Sequence, residues 1–375
     1  MDAYTDYPLY EYYHDVENFT DTGLFNFTVT VDCPISRLHG SHIFLPLLYY
    51  LIFFTGFLGN LFVISVVGSR GRRGGRLVDT FVVNLALADL VFVLTLPLWA
   101  ISASQDGHWH FGPGGNLLCK LSSFIIAVNR FSNIFFLTCM SVDRYLAVVK
   151  LMDSRYLRSS HCIHATCAGV WLSSLVLGIP SLVYRRVEQA GDGLACVEDN
   201  SSSFFLSLSL IMALFTFVLP VLIIVICYGT IVKHLNEHCI SAANPRAKAR
   251  RRHSLKMVLS IIVAFVVSWL PFNVFKVIII SSQLSNADLS CETQSWQRNG
   301  LLLSCFLAFL NSCVNPAIYF FLDHHFRRRA EILFMTCSRR PKLLQSHNSS
   351  ASFTNAGTSE SFRTTSGRTQ LQVFE

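Results

Sequence analysis

Long runs of apolar residues, separated by short polar segments, make up most of the chain. A helix needs about 20 predominantly apolar residues to cross a bilayer. Seven runs reach that length, at residues 43–67, 77–101, 117–149, 163–183, 204–232, 257–280 and 299–321. The pattern therefore predicts an all-α membrane protein built as a bundle of seven transmembrane helices. Because seven is an odd number, the two termini are expected on opposite sides of the membrane.

Charge is scarce in the chain and unevenly distributed. Only 14% of the residues are charged, against roughly 25% in soluble domains. Lys and Arg are abundant in the first, third and fifth connections and after the last span, and sparse in the other connections. Cytoplasmic loops carry the excess of Lys and Arg, so the N-terminus is predicted outside the cell. The net charge of +7 reflects the Lys and Arg residues on the predicted cytoplasmic side, and it does not indicate a nucleic-acid partner.

The polar segments divide the chain into four regions. Residues 1–40 are predicted to form an extracellular tail and residues 41–322 the transmembrane domain. Residues 323–337 have apolar positions at helical spacing and a basic face, which predicts a short amphipathic helix on the lipid surface of the inner leaflet. Cys337 at its end is a candidate for palmitoylation. Residues 338–375 are rich in Ser and Thr and are predicted to be a disordered cytoplasmic tail that is phosphorylated.

The N-terminal tail is acidic and rich in tyrosine. Seven acids and five tyrosines precede residue 35, with no Lys or Arg among them. One interpretation is a solvated, disordered arm. The other is an arm that attracts a basic extracellular ligand, more strongly if the tyrosines are sulfated. The sequence also has glycosylation acceptors on the predicted extracellular side, at Asn18, Asn26 and Asn200.

Cysteines in the predicted extracellular segments indicate disulfide bonds. Four of the twelve cysteines are in this group: Cys33, Cys119, Cys196 and Cys291. An oxidising exterior and an even number predict two bridges, and four cysteines allow three ways of pairing.

Ionisable residues inside the spans are the first candidates for function. Asp89 lies in the middle of the second span, a costly position that is functional by default. Asp143 and Arg144 end the third span, where they could simply mark the membrane surface and neutralise each other. Arg130, Lys276 and Arg298 lie in the outer half of the bundle, where we find no acid in the spans to match them.

These three cations predict a pocket for an anion. The ends of long side chains can reach water from near a membrane surface, which accounts for Lys276 and Arg298. It does not account for Arg130, which is more than two turns inside the third span. The hypothesis is that Arg130, Lys276 and Arg298, together with Trp99, bind an anionic ligand group such as the C-terminal carboxylate of a peptide.

A set of short motifs, roughly one for each span and in order, resembles the class A (rhodopsin-like) G-protein-coupled receptors over the whole membrane domain. The motifs contain Asn60, Asp89, Asp143-Arg144-Tyr145, Trp171, Pro220 with Tyr228, Ser268-Trp269-Leu-Pro271 and Asn315-Pro316-Ala-Ile-Tyr319. The segments 95–99, 109–112 and 143–150 resemble the chemokine and chemoattractant branch. By the pattern of that branch, Cys119 would pair with Cys196 and Cys33 with Cys291.

The resemblance implies a switch at the inner ends of the helices. In the family, the arginine that Arg144 matches pairs with its acidic neighbour at rest and meets the G protein once the sixth helix swings outward. Pro271 would supply the hinge, because proline removes a backbone hydrogen bond. Contact with a ligand would reach it through the ring residues Trp269 and Phe265. The remaining switch residues implied by the resemblance are Asp143, Tyr145, Tyr228, Asn315, Pro316 and Tyr319.

The resemblance also implies an allosteric Na⁺ beside Asp89, and no other cofactor or metal. The residues that match the family's sodium pocket are Asn129, Asn133, Asn311, Ser312 and Asn315. A hydrated Na⁺ would compensate the carboxylate and stabilise the resting state. The alternative is a polar network that only holds helices together.

The function implied is that of a plasma-membrane receptor for an extracellular peptide or chemokine-like protein. Signalling would pass to a heterotrimeric G protein, with the Gi class expected, and the cytoplasmic tail would bind receptor kinases and arrestin. The alternative is a scavenger, or decoy, that internalises its ligand without signalling. One departure from the branch is Cys305, where many chemokine receptors have a glutamate for the ligand's amine. An enzyme is not expected, because Asp89 has no nucleophilic or basic partner deep in the bundle.

Overall fold

The computed structural model describes residues 40–68, 77–149, 159–190, 193–199, 202–237 and 245–339. Within these ranges, seven helical segments are long and apolar enough to cross a membrane, which confirms the predicted number of spans. The helices are α1 (Ser41–Gly68), α2 (Leu77–Val93), α3 (Leu96–Ser104), α4 (Gly115–Val148), α5 (Ser160–Tyr184), α6 (Ser203–Ala213), α7 (Leu219–Glu237), α8 (Pro245–Leu284), α9 (Cys291–Leu322) and α10 (His324–Arg339).

Serine residues cap the N-termini of three of these helices. The hydroxyl of Ser159 accepts a hydrogen bond from the backbone N–H of Cys162, at the start of α5. Ser202 does the same at the start of α6, and Ser290 at the start of α9. Each serine satisfies one of the N–H groups that have no partner in the first turn of a helix.

Two spans are interrupted. The second span breaks between α2 and α3, where Pro97 occupies the first turn of α3 and has no N–H to continue the helix. The Thr95 hydroxyl donates to the carbonyl of Phe92, 2.8 Å away, and so satisfies an acceptor at the break. The fifth span consists of α6 and α7 joined by a π-helical turn, Leu214–Val218, which ends two residues before Pro220.

A two-stranded hairpin, which the sequence did not predict, covers one end of the bundle. Strands β1 (Arg185–Ala190) and β2 (Gly193–Glu198) pair antiparallel in the register Arg185 opposite Glu198. The disulfide Cys119–Cys196 joins β2 to the first turns of α4. The hairpin lies in the fourth connection, so this end of the bundle is the one predicted to face outward, and we refer to it as the hairpin side.

Helix α4 holds the bundle together, because it packs against α2, α5, α7, α8 and β1. Polar links tie other helices: the Trp171 indole donates to Asn84 at 2.8 Å, and the Asn60 amide donates to the carbonyl of Ser312 at 2.8 Å. Large apolar side chains such as Phe321 and Leu172 remain exposed on the outside. In a membrane protein these side chains face lipid, where they cost nothing.

The helices extend beyond the apolar runs that predicted them. Helix α9 begins at Cys291, eight residues before the predicted span, so Glu292 lies in its first turn and not in a loop. An acid there is favourable beside the positive end of the helix dipole. The surface helix was predicted at 323–337 and is observed as α10, His324–Arg339.

Several predicted modification sites lie outside what the structure describes. Residues 1–39, which include Asn18, Asn26 and Cys33, are not among the described ranges, and neither are Asn200 and the tail from residue 340. Cys337 lies in α10, but its side chain is not described. Cys291 is disulfide-bonded, and its pairing with Cys33 stays a prediction.

A glycine contact between α4 and α5 gives a test of this packing. A Cβ atom at Gly178 would lie 2.8 Å from the Phe124 ring and 2.9 Å from a methyl group of Val128. We expect Gly178→Ala to lower the melting temperature of the purified protein, because overpacking costs about 1–3 kcal/mol.

Gly169 in the same helix is the matched control, since a Cβ there would have no atom within 4 Å. Gly169→Ala should change the stability by less than about 1 kcal/mol. Equal melting temperatures for the two variants would contradict the close approach of α4 and α5.

Candidate functional site

Three groups of functional residues lie along the bundle axis, and the first surrounds Asp89 on α2. The Asp89 side chain is fully buried. Asn129 and Asn133 on α4 each donate an amide hydrogen bond to its Oδ1, at 2.9 Å. Ser312 on α9 donates to the same oxygen at 2.8 Å, and Asn315 donates to Oδ2 at 3.1 Å. The spacings of four and three residues place each pair of donors on one helix face.

This polar centre also has acceptors without partners. The side-chain carbonyl oxygens of Asn133, Asn311 and Asn315 are buried and accept no hydrogen bond from any described residue. Buried polar atoms are normally satisfied, so such atoms need an explanation. A carboxylate together with several carbonyl oxygens is a donor set that suits a hard cation. The residues that match the family's sodium pocket therefore fit Na⁺ chemically.

The second group lies at the opposite side of the bundle from the hairpin. The guanidinium of Arg144 pairs with Asp143, with 2.6 Å between Nη2 and Oδ2. The hydroxyls of Tyr228 and Tyr319 are buried and have no hydrogen-bond partner within the described ranges. Both are among the switch residues that the family resemblance implies, and in this structure they do not bond to each other. The pairing of Arg144 with Asp143 matches the arrangement that the family resemblance implies for rest.

The rings of α8 lie between these inner residues and the hairpin side. Trp269 is 6.0 Å from Phe265 and 5.7 Å from Phe272, measured between ring centroids. Pro271 lies inside α8, between Trp269 and Phe272 in sequence. The Asn273 amide donates to the carbonyl of Trp269 at 2.8 Å, a link that the sequence analysis did not identify.

The third group lines a cavity of about 340 Å³ on the hairpin side, which we refer to as the outer cavity. It contains three of the four residues predicted for the ligand pocket: Trp99, Arg130 and Lys276. The fourth, Arg298, is exposed and does not line the cavity. Its charge reaches the surface at the start of the seventh span, as expected of a long side chain near the membrane boundary.

Arg130 is the cation of this cavity that forms no salt bridge with an acid of the described residues. Its guanidinium lies over the Phe131 ring at 4.6 Å and over the Phe272 ring at 5.7 Å. Within the part of the chain that the structure describes, it forms no salt bridge. Cation–π contacts offset only part of what a charge loses on leaving water. An anion entering the cavity would therefore find Arg130 available.

For Lys276 the matching acid comes from the hairpin, outside the spans to which the expectation applied. Its ammonium group pairs with Glu198 at the end of β2, and Arg185 lies 3.8 Å from the same carboxylate oxygen. Glu198 lies outside the spans in sequence, and only the folding of the hairpin brings it into the bundle. Side chains two residues apart in a strand share a face, so the Cys196 disulfide directs Glu198 toward α4 and α8.

Burial raises the pKa of the Glu198 carboxyl, but the nearby charges of Lys276, Arg185 and Arg130 outweigh that effect. The net result is a pKa below the ordinary value of 4.5. Glu198 is therefore ionised at neutral pH. Cys305 on α9 lines the same cavity, so the acid in this cavity comes from the hairpin and not from the seventh span.

Comparison with known proteins gives consistent matches over the whole bundle. Residues 59–319 match the family described as the 7 transmembrane receptor (rhodopsin family). The chain is 39% identical to "Probable G-protein coupled receptor 25" of Mus musculus, covering 85% of this chain and 86% of that protein. It is 37% identical to "G-protein coupled receptor 15" of Mus musculus, covering 84% and 83%. It is 35% identical to "Apelin receptor A" of Danio rerio, covering 92% of each.

Proposed function

Because the chain belongs to the rhodopsin family of seven-transmembrane receptors, we propose that it is a plasma-membrane receptor for an extracellular peptide or chemokine-like protein. Members of this family are signalling receptors and not enzymes. The single observation that carries the ligand class is the outer cavity, in which Arg130 lacks an acidic partner among the described residues. The peptide-receptor name of the Danio rerio relative supports the same class.

The ligand enters from the hairpin side and places an anionic group, such as a C-terminal carboxylate, on Arg130. A guanidinium binds a carboxylate through charge-assisted hydrogen bonds, which are stronger than neutral ones. The N-terminal tail, outside the cell in this proposal, attracts basic parts of the ligand first. Attraction between opposite charges raises the rate of encounter more than the final affinity.

A continuous series of ring contacts connects the binding of an anion at Arg130 to α8. Arg130 lies over Phe272, Phe272 packs against Trp269, and Trp269 packs against Phe265. An anion that draws Arg130 away from Phe272 changes the packing on which Trp269 rests. Pro271 leaves α8 without one backbone hydrogen bond at this level, so the helix can bend there.

The outward swing of α8 releases Arg144 from Asp143, and Arg144 then contacts a heterotrimeric G protein of the Gi class. The hydroxyls of Tyr228 and Tyr319 are free to form new bonds in that state. The Ser- and Thr-rich tail binds receptor kinases and arrestin afterwards. Such a two-state element is what a ligand must bias in order to signal.

Asp89 and its five neighbours bind an allosteric Na⁺ that favours the resting state. The three carbonyl oxygens without partners support this proposal. Among this chain's residues, Asp89 supplies the charge, and Asn129, Asn133, Ser312 and Asn315 hold it in position. A cation that binds only one of two states stabilises that state by its binding free energy.

The proposed function is tested by measuring Gi activation in cells that express this chain. Basic chemokine-like proteins and peptides from their C-termini serve as probes. We expect one of them to activate Gi, with the response abolished by Arg144→Ala and weakened by removal of residues 1–30. Surface expression, measured by antibody, controls for loss of the receptor. Uptake of a probe without any G-protein response would contradict signalling and identify a decoy receptor.

The role of Arg130 is tested with the most active free-carboxylate peptide and its C-terminal amide. A charge-assisted hydrogen bond contributes about 1.5–3 kcal/mol, so Arg130→Ala should lower the potency of the carboxylate form roughly 10- to 100-fold. The amide form should be equally weak on both receptors. Arg298→Ala is the control, because Arg298 lies outside the outer cavity. Equal losses from the two substitutions would refute a specific anion site at Arg130.

Sodium binding is tested by thermal unfolding of the purified protein in sodium chloride and in choline chloride at equal ionic strength. The natural sequence should melt at a higher temperature in sodium, and Asp89→Asn should remove that difference. Asp79 on the same helix pairs with Arg329 at 2.8 Å, so Asp79→Asn should lower stability in both salts alike. A melting temperature that is the same in both salts would indicate that the Asp89 network only links helices.

A further inference from the structure

The outer cavity already contains a carboxylate, which comes from the protein itself. Its charged lining consists of the cations Arg130, Arg185 and Lys276 and the acid Glu198, a net charge of +2. Glu198 pairs with Lys276 and lies 3.8 Å from Arg185, but it forms no salt bridge with Arg130. The cavity therefore has two positions where a carboxylate can pair with a cation, one at Arg130 and one at Lys276. Glu198 occupies the position at Lys276.

The hairpin backbone that carries Glu198 is fixed at several points. The Cys119–Cys196 disulfide holds β2 two residues before Glu198. The N–H of Asp199 donates to the carbonyl of Tyr184 at 2.7 Å, and the N–H of Trp109 donates to the carbonyl of Leu194 at 2.6 Å. Glu198 can therefore leave Lys276 by rotation of its own side chain, without movement of the hairpin.

Solvent reaches the Glu198–Lys276 pair. The side chains of Glu198 and Lys276 are 22% and 23% exposed, so a small solute can approach both. If Glu198 turns away from Lys276, Arg185 remains beside it, because the two residues are opposite each other in the hairpin register. A second carboxylate entering at Lys276 would then leave each acid next to a cation and lower the net charge of the cavity to +1.

We propose that Lys276 forms a carboxylate-binding subsite that Glu198 occupies in the unliganded protein, and that a carboxylate of the ligand takes the place of Glu198 there. Glu198 thus acts as an internal competitor that tunes the affinity for acidic ligands. The use of this subsite by a peptide rests on the proposed function, but its chemistry does not. The subsite can be tested with acetate, the smallest stable alkyl carboxylate, and without any receptor ligand.

The test measures whether added acetate restores the stability that is lost when the Glu198 carboxylate is removed. Glu198→Ala leaves three cations in one cavity with no acid, and their mutual repulsion should lower the melting temperature of the purified full-length protein. Sodium acetate, exchanged for sodium chloride so that the sodium concentration stays constant, should raise that temperature saturably, by roughly 2 °C. The melting temperature of the natural sequence should show no saturable rise, because the Glu198 carboxylate already occupies the position beside Lys276.

Three variants give the controls. Glu188→Ala removes an acid of the same hairpin that pairs with Arg186 and does not line the cavity, so acetate should have no effect on it. Glu198→Ala combined with Lys276→Met should lose the response to acetate. Glu198→Gln should also be unresponsive, because its amide fills the space. If Glu198→Ala does not fold, Glu198→Ser serves the same test.

Two results would overturn the subsite. The first is a Glu198→Ala or Glu198→Ser protein that folds and does not respond to acetate. The second is an equal response in Glu188→Ala, which would be an effect of acetate on the whole protein. Neither result bears on the Gi measurements, and a failure of those measurements would leave the acetate response intact. The two proposals therefore fail independently.

Discussion

The absence of water in the membrane core is the constraint on which the structure depends. A polar group inside the bundle must find its partner within the protein, because lipid offers none. The Asp89 carboxylate meets this requirement with four hydrogen bonds from α4 and α9. Asn60 and Trp171 meet it with one bond each to neighbouring helices. These bonds fix which faces of the helices meet, so the buried Asp89 carboxylate also organises the packing around it.

Groups that do not satisfy this requirement mark the places where the protein can change. The buried hydroxyls of Tyr228 and Tyr319, the indole N–H of Trp269 and three asparagine carbonyl oxygens have no partner among the described residues. A second conformation that satisfies some of them would differ from this one by a small free energy, which a ligand or a cation can supply.

The disulfide Cys119–Cys196 does more than join two segments of the chain. It holds β2 over the bundle in a register that turns Glu198 toward Lys276. The charge of the outer cavity is therefore decided by a loop as well as by helices. The seventh span contributes Cys305 and no acid to the described lining, so the hairpin supplies the negative charge of this cavity.

The sequence by itself determined the number of spans, the surface helix and the residues Asp89, Arg144 and Arg130, because an apolar run or a charge inside it has the same meaning in any fold. It placed the start of α9 eight residues late, since helices continue past the apolar stretch into capped polar turns. Only the tertiary structure decided that Glu198 meets Lys276 and that Arg298 lies outside the cavity. Those facts depend on how a hairpin folds over the bundle, and no local pattern along the chain records a contact between residues 78 positions apart.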